Sequence, residues 1–502
     1  MPFGCYTMPD SRMNHARAHR RSDLVRIATE AMIERGLEPE FSASVVRQVA
    51  AIAGPGRDAG PSVRDLTQLP WCSIDNDDSL DLDQLTACEP LAGGAVKVHV
   101  AVADVDALVN KGSAIDEHAR VNTTSVYTSA RVFPMLPERL STDLTSLNAG
   151  EDRLALVTTM TVNEDGTVAH SAVERAMVHN KAKLAYDAVS AWIDGTEALP
   201  AAAAAVSGMD LQLKTQDAVA QRLRSRRHAQ GSLELQTFQP RAVFDGERVV
   251  DIRQQVQNRA RQLIEEFMIA TNGCTARFLA AAGGASLRRV VRSPERWQRI
   301  VDVARKVGET LPQQPDSKAL EAFLAKRRRA DPLRFPDLSL VIIKLMGSGE
   351  YVVEKTGAEP IGHFGLAARD YTHSTAPNRR YPDLITSRMI KSSLAGHAPA
   401  YSVGELQALA LHCTQQEDAA QKVERRVRKS EAALLLESRV GQQFDAIVTG
   451  VSATDTWVRI FKPPAEGKLL TEGAPFEVGQ QVRVRLASTD VERGFIDFVW
   501  VE

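Results

Sequence analysis

The sequence predicts an α+β protein of several domains. They are a small helical domain at the N-terminus, a large mixed α/β domain, and an OB-type β-barrel at the C-terminus. Three observations predict this. The chain has 502 residues, more than a single hydrophobic core usually organises. Residues 53–62 read Ala-Gly-Pro-Gly-Arg-Asp-Ala-Gly-Pro-Ser, a composition that denies the backbone both helix and ladder and so marks a linker. The last ~65 residues carry short strand-like runs separated by Gly and Pro, the pattern of a small closed barrel. The corresponding boundaries are 1–62, 63–435 and 436–502.

Taken in order, residues 1–21 are polar and basic and predict a loose arm. A helical pattern follows with Leu24, Ile27, Ala28, Ala31 and Met32 on one face, with Ser22 placed to cap it and Gly36 to end it. A second helix is expected after Ser42. The pair fits a helix-turn-helix unit or a plain helical adaptor, and the residues do not separate the two. Residues 96–102 alternate as a strand. Residues 154–162 and 167 onwards, joined by Asn-Glu-Asp-Gly, read as a hairpin, as do residues 243–252 around Asp-Gly-Glu-Arg. Residues 180–228 read as one long helical segment, and residues 258–279 as an amphipathic helix carrying Glu265 and Glu266. Three basic clusters, at 222–227, 326–329 and 422–429, read as solvated helix faces. In the barrel, Trp457 and Phe461 are strand aromatics that serve either as core or as platforms for stacked bases.

Composition narrows the class. Hydrophobic residues make up 44% and charged residues 25%, a globular balance. No apolar run approaches the ~18 residues of a membrane helix, and the N-terminus lacks the apolar core of a signal peptide. Five widely spaced cysteines with no Cys-x-x-Cys imply neither a zinc knuckle nor a disulfide framework, which fits a reducing cytoplasm. The net charge of −2 permits nucleic-acid binding only through local basic surfaces. Nothing in the sequence calls for more than a monomer.

Residues 70–84, Pro-Trp-Cys-Ser-Ile-Asp-Asn-Asp-Asp-Ser-Leu-Asp-Leu-Asp-Gln, organise the rest. Asp75, Asp77, Asp78, Asp81 and Asp83 alternate with apolar residues. In extended chain Asp81 and Asp83 point the same way while Leu80 and Leu82 point to a core. Carboxylates gathered at a core edge repel one another and are desolvated, and a hard divalent cation such as Mg²⁺ relieves both effects. An Asp-rich turn without metal is the competing interpretation of the same spacing.

The Ile-Asp-x5-Asp-Leu-Asp pattern at 74–83 resembles the catalytic signature of the ribonuclease II (RNB) family. Further stretches match in the same order: His-Val-Ala-Val-Ala-Asp at 99–104, Phe-Pro-Met-Leu-Pro-Glu-Arg-Leu-Ser at 133–141, Leu-Ile-Glu-Glu-Phe-Met at 263–268, His-Phe-Gly-Leu at 363–366, and Tyr-Thr-His-Ser-Thr-Ala-Pro-Asn-Arg-Arg-Tyr-Pro-Asp-Leu at 371–384. The terminal barrel is similar to the S1 domain of that family. The resemblance implies a Mg²⁺-dependent, processive 3′-5′ exoribonuclease that hydrolyses single-stranded RNA to nucleoside 5′-monophosphates in RNA turnover. It implies metal binding or water orientation at Asp75, Asp81, Asp83 and the position of Gln84. Arg379, with Arg380 beside it, would stabilise phosphate charge. Tyr127 would stack on the 3′-terminal base, Glu265 would contact the terminal nucleotide, and Trp457 and Phe461 would serve the RNA-binding barrel.

Three departures qualify the resemblance. The family motif ends Asp-x-Asp-Asp, whereas this chain has Gln84 at the last position; an amide oxygen ligates Mg²⁺ without charge. This motivates an alternative, an RNA-binding or regulatory protein with an attenuated active site. Many bacterial members carry two cold-shock barrels before the catalytic domain, where this chain has a short helical region. The second stacking aromatic expected near Gly231 is replaced by Leu233, with Phe238 nearby.

Overall fold

In a computed structural model, the described residues are 20–57, 62–236, 240–254, 257–332, 334–452, 454–470 and 476–501. Residues 1–19 of the expected arm, part of the expected linker (58–61) and Phe238 lie outside them; Arg21, the arm's last residue, starts the first helix. The helices are α1 (Arg21–Glu34), α2 (Ala43–Ala51), α3 (Ala114–Asn122), α4 (Tyr186–Ile193), α5 (Ala201–Ala204), α6 (Met209–Ala229), α7 (Arg259–Ala281), α8 (Trp297–Lys306), α9 (Ser317–Ala330), α10 (Phe335–Met346), α11 (Tyr381–Leu394) and α12 (Val403–Leu436). The chain divides into two compact units. One comprises residues 29–240 and 254–425, and the other residues 1–28, 241–253 and 426–502.

The larger unit is built on a seven-stranded mixed sheet. Its strands are β1 (Val63–Asp65), β2 (Cys72–Asp75), β3 (Gln84–Pro90) and β4 (Val96–Ala103). After the short β5 (Val126–Tyr127) and β6 (Val132–Phe133) come β7 (Asp152–Val162), β8 (Val168–His179) and β9 (Ala182–Ala185). The spatial order is β1-β8-β7-β4-β3-β2-β9. The two-residue strand period places Val96, Val98, Val100 and Val102 in a core with α6 and α7. Ala101 and Ala103 face a second core with α11. Both faces of the sheet are therefore covered, which explains why residues 100–103 of β4 run apolar without alternation. The predicted strand at 96–102 and the 154–179 hairpin are present, the latter with Asp152–Val162 paired antiparallel to Val168–His179.

Two expectations for this unit are corrected. Residues 180–228 are not one helix. β9 runs parallel to β2, and Gly195, Pro200 and Gly208 then divide the remainder into α4, α5 and α6; a proline clashes with the preceding helical turn, and a left-handed glycine ends one. Leu80 does not face a core: it is 62% exposed, whereas Leu82 is buried. The chain at 76–83 is a loop rather than a strand, so the two-residue alternation does not extend to Leu80.

Helix starts follow local chemistry. Ser42 accepts from the Val45 N–H at the start of α2, and Asn258 accepts from the Arg261 N–H at the start of α7. At α1 the cap differs from the expected Ser22: Asp23 reaches back to the Arg20 N–H at 2.8 Å. Leu233, which stands where a second stacking aromatic was expected, is a core residue packed with Trp297, Ile300 and Phe335. The basic cluster at 222–227 is less solvated than expected, whereas Lys326 and Arg329, and Lys422, Arg425 and Lys429, are exposed as expected. Arg224 and Arg328 both pair with Glu234, Arg226 pairs with Asp165, and Lys326 pairs with Glu309.

In the smaller unit, β10 (Pro240–Asp245) and β11 (Arg248–Gln254) form the expected hairpin. Strands β12 (Ser286–Val290) and β13 (Glu350–Glu354) pair in the larger unit. Then β14 (Gln443–Val451), β15 (Thr456–Ile460), β16 (Ala465–Leu470), β17 (Gln481–Asp490) and β18 (Phe495–Val501) close a five-stranded barrel. Gly467 is required there: a Cβ would stand 2.5 Å from the Ile496 carbonyl oxygen. The strand expected to include Phe461 ends at Ile460, and Phe461 lies in the turn that follows.

Candidate active site

The acidic loop joins the end of β2 to the start of β3. Its shape is set by a serine clamp: Ser146 Oγ accepts from the Leu82 N–H at 2.9 Å and donates to the Leu80 carbonyl at 2.8 Å. The Ala103 N–H donates to the Asp83 carbonyl at 3.0 Å, so the loop re-enters the sheet at Asp83. Asp75 ends β2 and accepts from the Asn76 N–H at 2.7 Å and Ser79 Oγ at 3.0 Å.

Asp83 is buried. One oxygen accepts from the Asn378 N–H at 3.1 Å, the other from Arg379 Nε at 3.0 Å. Burial pushes its carboxyl up to about 7, against the pull of Arg379 and helped by the nearby Asp81. Asp75 is also raised, chiefly by burial. Among the described residues, neither Asp75 nor Asp81 forms an ion pair, so three carboxylates share one bonded guanidinium.

Arg379 and Arg380 stand in the turn before α11, and their roles diverge. Arg379 reaches Asp83 while its side chain stays 42% exposed. Arg380 donates to Asp383 at 2.7 Å, whose same oxygen also accepts from the Ala376 N–H. Arg380 therefore braces the turn, and Arg379 is the guanidinium at the acidic loop. The turn is tied to residues 123–127: the Ser125 N–H donates to the Arg379 carbonyl at 3.0 Å and the Tyr381 N–H to the Thr123 carbonyl at 2.8 Å. Thr123 takes a left-handed φ of 61°, a conformation a β-branched residue adopts only when its surroundings enforce it.

That tie brings Tyr127 to the site. Its ring is 37% exposed, its hydroxyl donates to Asp81 Oδ2 at 3.1 Å, and its N–H donates to Glu424 at 3.1 Å. Glu265, on α7, is about half exposed, accepts from Gln257 Nε2 at 2.9 Å and lies 3.9 Å from Arg227. Its neighbour Glu266 is buried and bonded to Arg227, Oε2 accepting from Nε at 3.0 Å. Gln84 is buried at the first position of β3, and its amide makes no side-chain hydrogen bond among the described residues. In the barrel, Trp457 is partly exposed opposite Lys468 on β16, and Phe461 is half-buried.

Sequence reasoning missed three residues. Tyr186 follows Ala185, the register partner of Asp75, and its hydroxyl is raised by burial and then by Asp75. Arg261 stacks over the Tyr186 ring at 4.4 Å and donates to Asn76 Oδ1 at 2.8 Å. Asn378 holds Asp83 through its backbone. The only sequence signal for Tyr186 was β9, hidden inside an apparent helix.

The arrangement can bind a divalent cation on under-neutralised carboxylates, place a guanidinium beside it, and offer two tyrosines at its margin. Comparison with known proteins shows the family. The RNB domain family matches residues 63–396, and the RNase II-type exonuclease C-terminal S1 domain matches residues 442–501. The chain is 30% identical to Ribonuclease R of Vibrio cholerae over 505 aligned positions, covering 92% of this chain and 60% of that relative. It thus spans about three-fifths of that protein's length. The apo structure of Mycoplasma genitalium RNase R superposes with a TM-score of 0.86 at 21% identity, covering 95% of this chain and 78% of the other. Yeast Ssd1, described as a pseudonuclease, has the same fold with a TM-score of 0.69 at 16% identity, covering 89% and 55% of the two chains.

Proposed function

The chain belongs to the RNB family, with an S1 domain at its C-terminal end, and from that premise we propose that it is a processive 3′-5′ exoribonuclease. Its substrate is single-stranded RNA, its products are nucleoside 5′-monophosphates, and its cofactor is Mg²⁺. One observation carries the proposal: Asp81 lies close enough to both Asp75 and Asp83 to raise each of them, and Arg379 is the one cation bonded to the three among the described residues. Hard oxygen donors carrying uncompensated charge suit Mg²⁺. A divalent cation in such a site supplies charge stabilisation and a nucleophile at neutral pH.

The chain's own residues do the rest. Asp75 and Asp81 hold the cation, and Asp83 both contributes charge and fixes the Arg379 guanidinium. Arg379, partly exposed, stabilises charge on the phosphate oxygens as the ester bond breaks. Tyr127 stacks on the terminal base, a contact that every base can make and that suits a general degrader. Glu265 touches the terminal nucleotide, and Trp457 and Phe461 contribute to RNA binding by the barrel. Support for an RNA ligand comes from Mycoplasma genitalium RNase R, whose structures include complexes with ribose-methylated single-stranded RNA and with double-stranded RNA. Four buried free thiols, Cys72, Cys88, Cys274 and Cys413, support a reducing, cytoplasmic location. Among the described residues no helix is long and apolar enough to cross a membrane.

The test is 5′-labelled poly(A) RNA incubated with the protein across a Mg²⁺ titration. Progressive shortening to a product of a few nucleotides is expected. Unshortened RNA that comigrates with the protein on a native gel would favour the second reading, an RNA-binding protein with an attenuated site. The neutral amide of Gln84 is the observation in favour of that reading.

A further inference from the structure

A cavity of about 580 Å³ lies between α6, the middle of α7, the β7–β8 turn and residues 366–371. Its β7–β8 wall is remote from the acidic loop, whereas Tyr371 on another wall feels the charges of Arg380 and Asp383. Along β4, Val102 pairs with Gln84 beside that loop, whereas Val96 pairs with Val162 beside the β7–β8 turn. Six residues of strand separate the two ends by about 20 Å.

Arg226, Arg227, Arg277 and Arg369 line the cavity, against Glu266 and Asp370. Arg227 is committed to Glu266. Arg226 reaches Asp165 at 3.3 Å in an exposed pair, which holds it weakly. Arg277 and Arg369 form no ion pair among the described residues. The Arg277 guanidinium folds back over α7, where Nη1 stands 3.3 Å from the place a Cβ at Gly273 would take, and it donates to Cys274 Sγ at 3.3 Å. Asp370 is likewise unpaired among the described residues, so a net positive charge remains. The other wall is apolar, with Leu223, Ile269, Ala270 and Leu366.

Guanidinium groups without a carboxylate partner, facing an apolar wall, match a phosphate monoester attached to a flat, weakly polar body, and the volume lies in the range of small-ligand sites. We propose that this cavity binds a nucleoside monophosphate, its phosphate between Arg277 and Arg369 and its base against the Leu223–Ile269 wall. The proposal stands on the charge and shape of the cavity. It meets the nuclease reading at two points: that reaction would release such a ligand, and Arg227 on the cavity wall lies 3.9 Å from Glu265.

Equilibrium dialysis of labelled AMP against the full chain in metal-free buffer tests it. Wild type, Tyr127→Ala, and the Arg277→Gln/Arg369→Gln double variant are compared, with inorganic phosphate and adenosine as competitors. The expected result is binding that survives Tyr127→Ala, falls about tenfold or more in the double variant, and is displaced by phosphate but not by adenosine. An unchanged melting temperature in the double variant separates lost binding from lost folding. Binding that follows Tyr127 instead of the arginines would overturn the proposal, as would no binding to wild type. Loss of poly(A) hydrolysis in the double variant would also overturn it, by assigning the arginines to the RNA path. Failure of wild type to hydrolyse RNA would count against the nuclease reading while leaving the AMP result interpretable.

Discussion

The larger unit holds two clusters of three aspartates that differ in charge balance. At the acidic loop, Asp75, Asp81 and Asp83 share one bonded cation, Arg379. Near α11, Asp104, Asp106 and Asp116 face Arg175, Arg388 and Lys391. Arg388 bonds Asp106 at 2.7 Å and pairs with Asp116 at 2.8 Å, Lys391 pairs with both Asp104 and Asp106, and Arg175 reaches Asp104 at 3.3 Å. The second cluster is neutral, three carboxylates against three cations; the first is short of positive charge. The aspartates alone do not distinguish the two. The cation count does: a balanced cluster fastens helices to a sheet, and an unbalanced one is built to receive charge from outside.

The largest expected effect breaks the unbalanced cluster. Asp83→Asn removes the charge that fixes Arg379 and lowers the pull on a cation. Poly(A) hydrolysis should fall by about 10³-fold or more, the scale seen when members of a cooperating catalytic set are lost. RNA retention on a native gel should persist. Full hydrolysis by this variant would sink the assignment of the loop as the active site.

The balanced cluster should respond differently. Arg388→Met leaves Asp116 buried without its partner, while the other contacts of the Arg388 guanidinium, to Tyr401 and the Val109 carbonyl, also vanish. A loss of about 3–5 kcal/mol in unfolding free energy is expected, read as a shift of the urea midpoint. The variant that remains folded should still cleave RNA. A folded but inactive Arg388→Met would erase the distinction drawn between the clusters.

How much of this was legible beforehand depended on distance in sequence. Asp75, Asp81 and Asp83 lie within nine positions and announced themselves by spacing. The β4 strand, the β7–β8 hairpin, α7 and the barrel were written in local periodicity and turn residues. Asp83 and Arg379, 296 positions apart, were joined only through the family resemblance. The Arg388 network joins residues about as distant and carried no local signature, so it went unread. Tyr186 was lost because β9 is four residues long and precedes a true helix, so its alternation was absorbed into the helical pattern. The basic cluster at 222–227 was read as solvent-facing because charge runs usually are. Its partners Asp165, Glu234 and Glu266 come from three other segments.

A third test sharpens the comparison through pH. In metal-free protein the Asp83 carboxyl is raised to about 7, against about 3.9 in unfolded chain. The folded state thus holds this proton more tightly. Its contribution to stability is complete below about pH 4 and is lost as pH rises through 7. Asp75, also raised by burial, acts with the same sign. Urea midpoints in EDTA should fall between about pH 4 and 7, and Asp83→Asn should flatten that slope. Added Mg²⁺ should restore wild-type stability at the upper end, because a cation compensates the same charge. A slope identical in wild type and Asp83→Asn would show that Asp83 is not the group under strain.

The smallest effect concerns Gln84, which adds nothing to the loop's negative charge. The side-chain amide of this buried residue forms no hydrogen bond among the described residues, so a carboxylate there would disrupt no existing bond. Gln84→Asp adds a fourth charge to a cluster that already lacks cations. It should therefore destabilise the metal-free protein and tighten Mg²⁺ binding together. One further carboxylate ligand tunes the affinity of a hard-cation site by its charge; a drop of about tenfold or less in half-saturating Mg²⁺ is expected, measured by poly(A) hydrolysis. The coupling of the two changes is the informative part. Tighter Mg²⁺ binding without metal-free destabilisation would mean that Gln84 faces solvent in the working site. Destabilisation without tighter binding would place it in the core of the sheet, outside the reach of the cation, and would leave Asp75, Asp81 and Asp83 as the whole donor set.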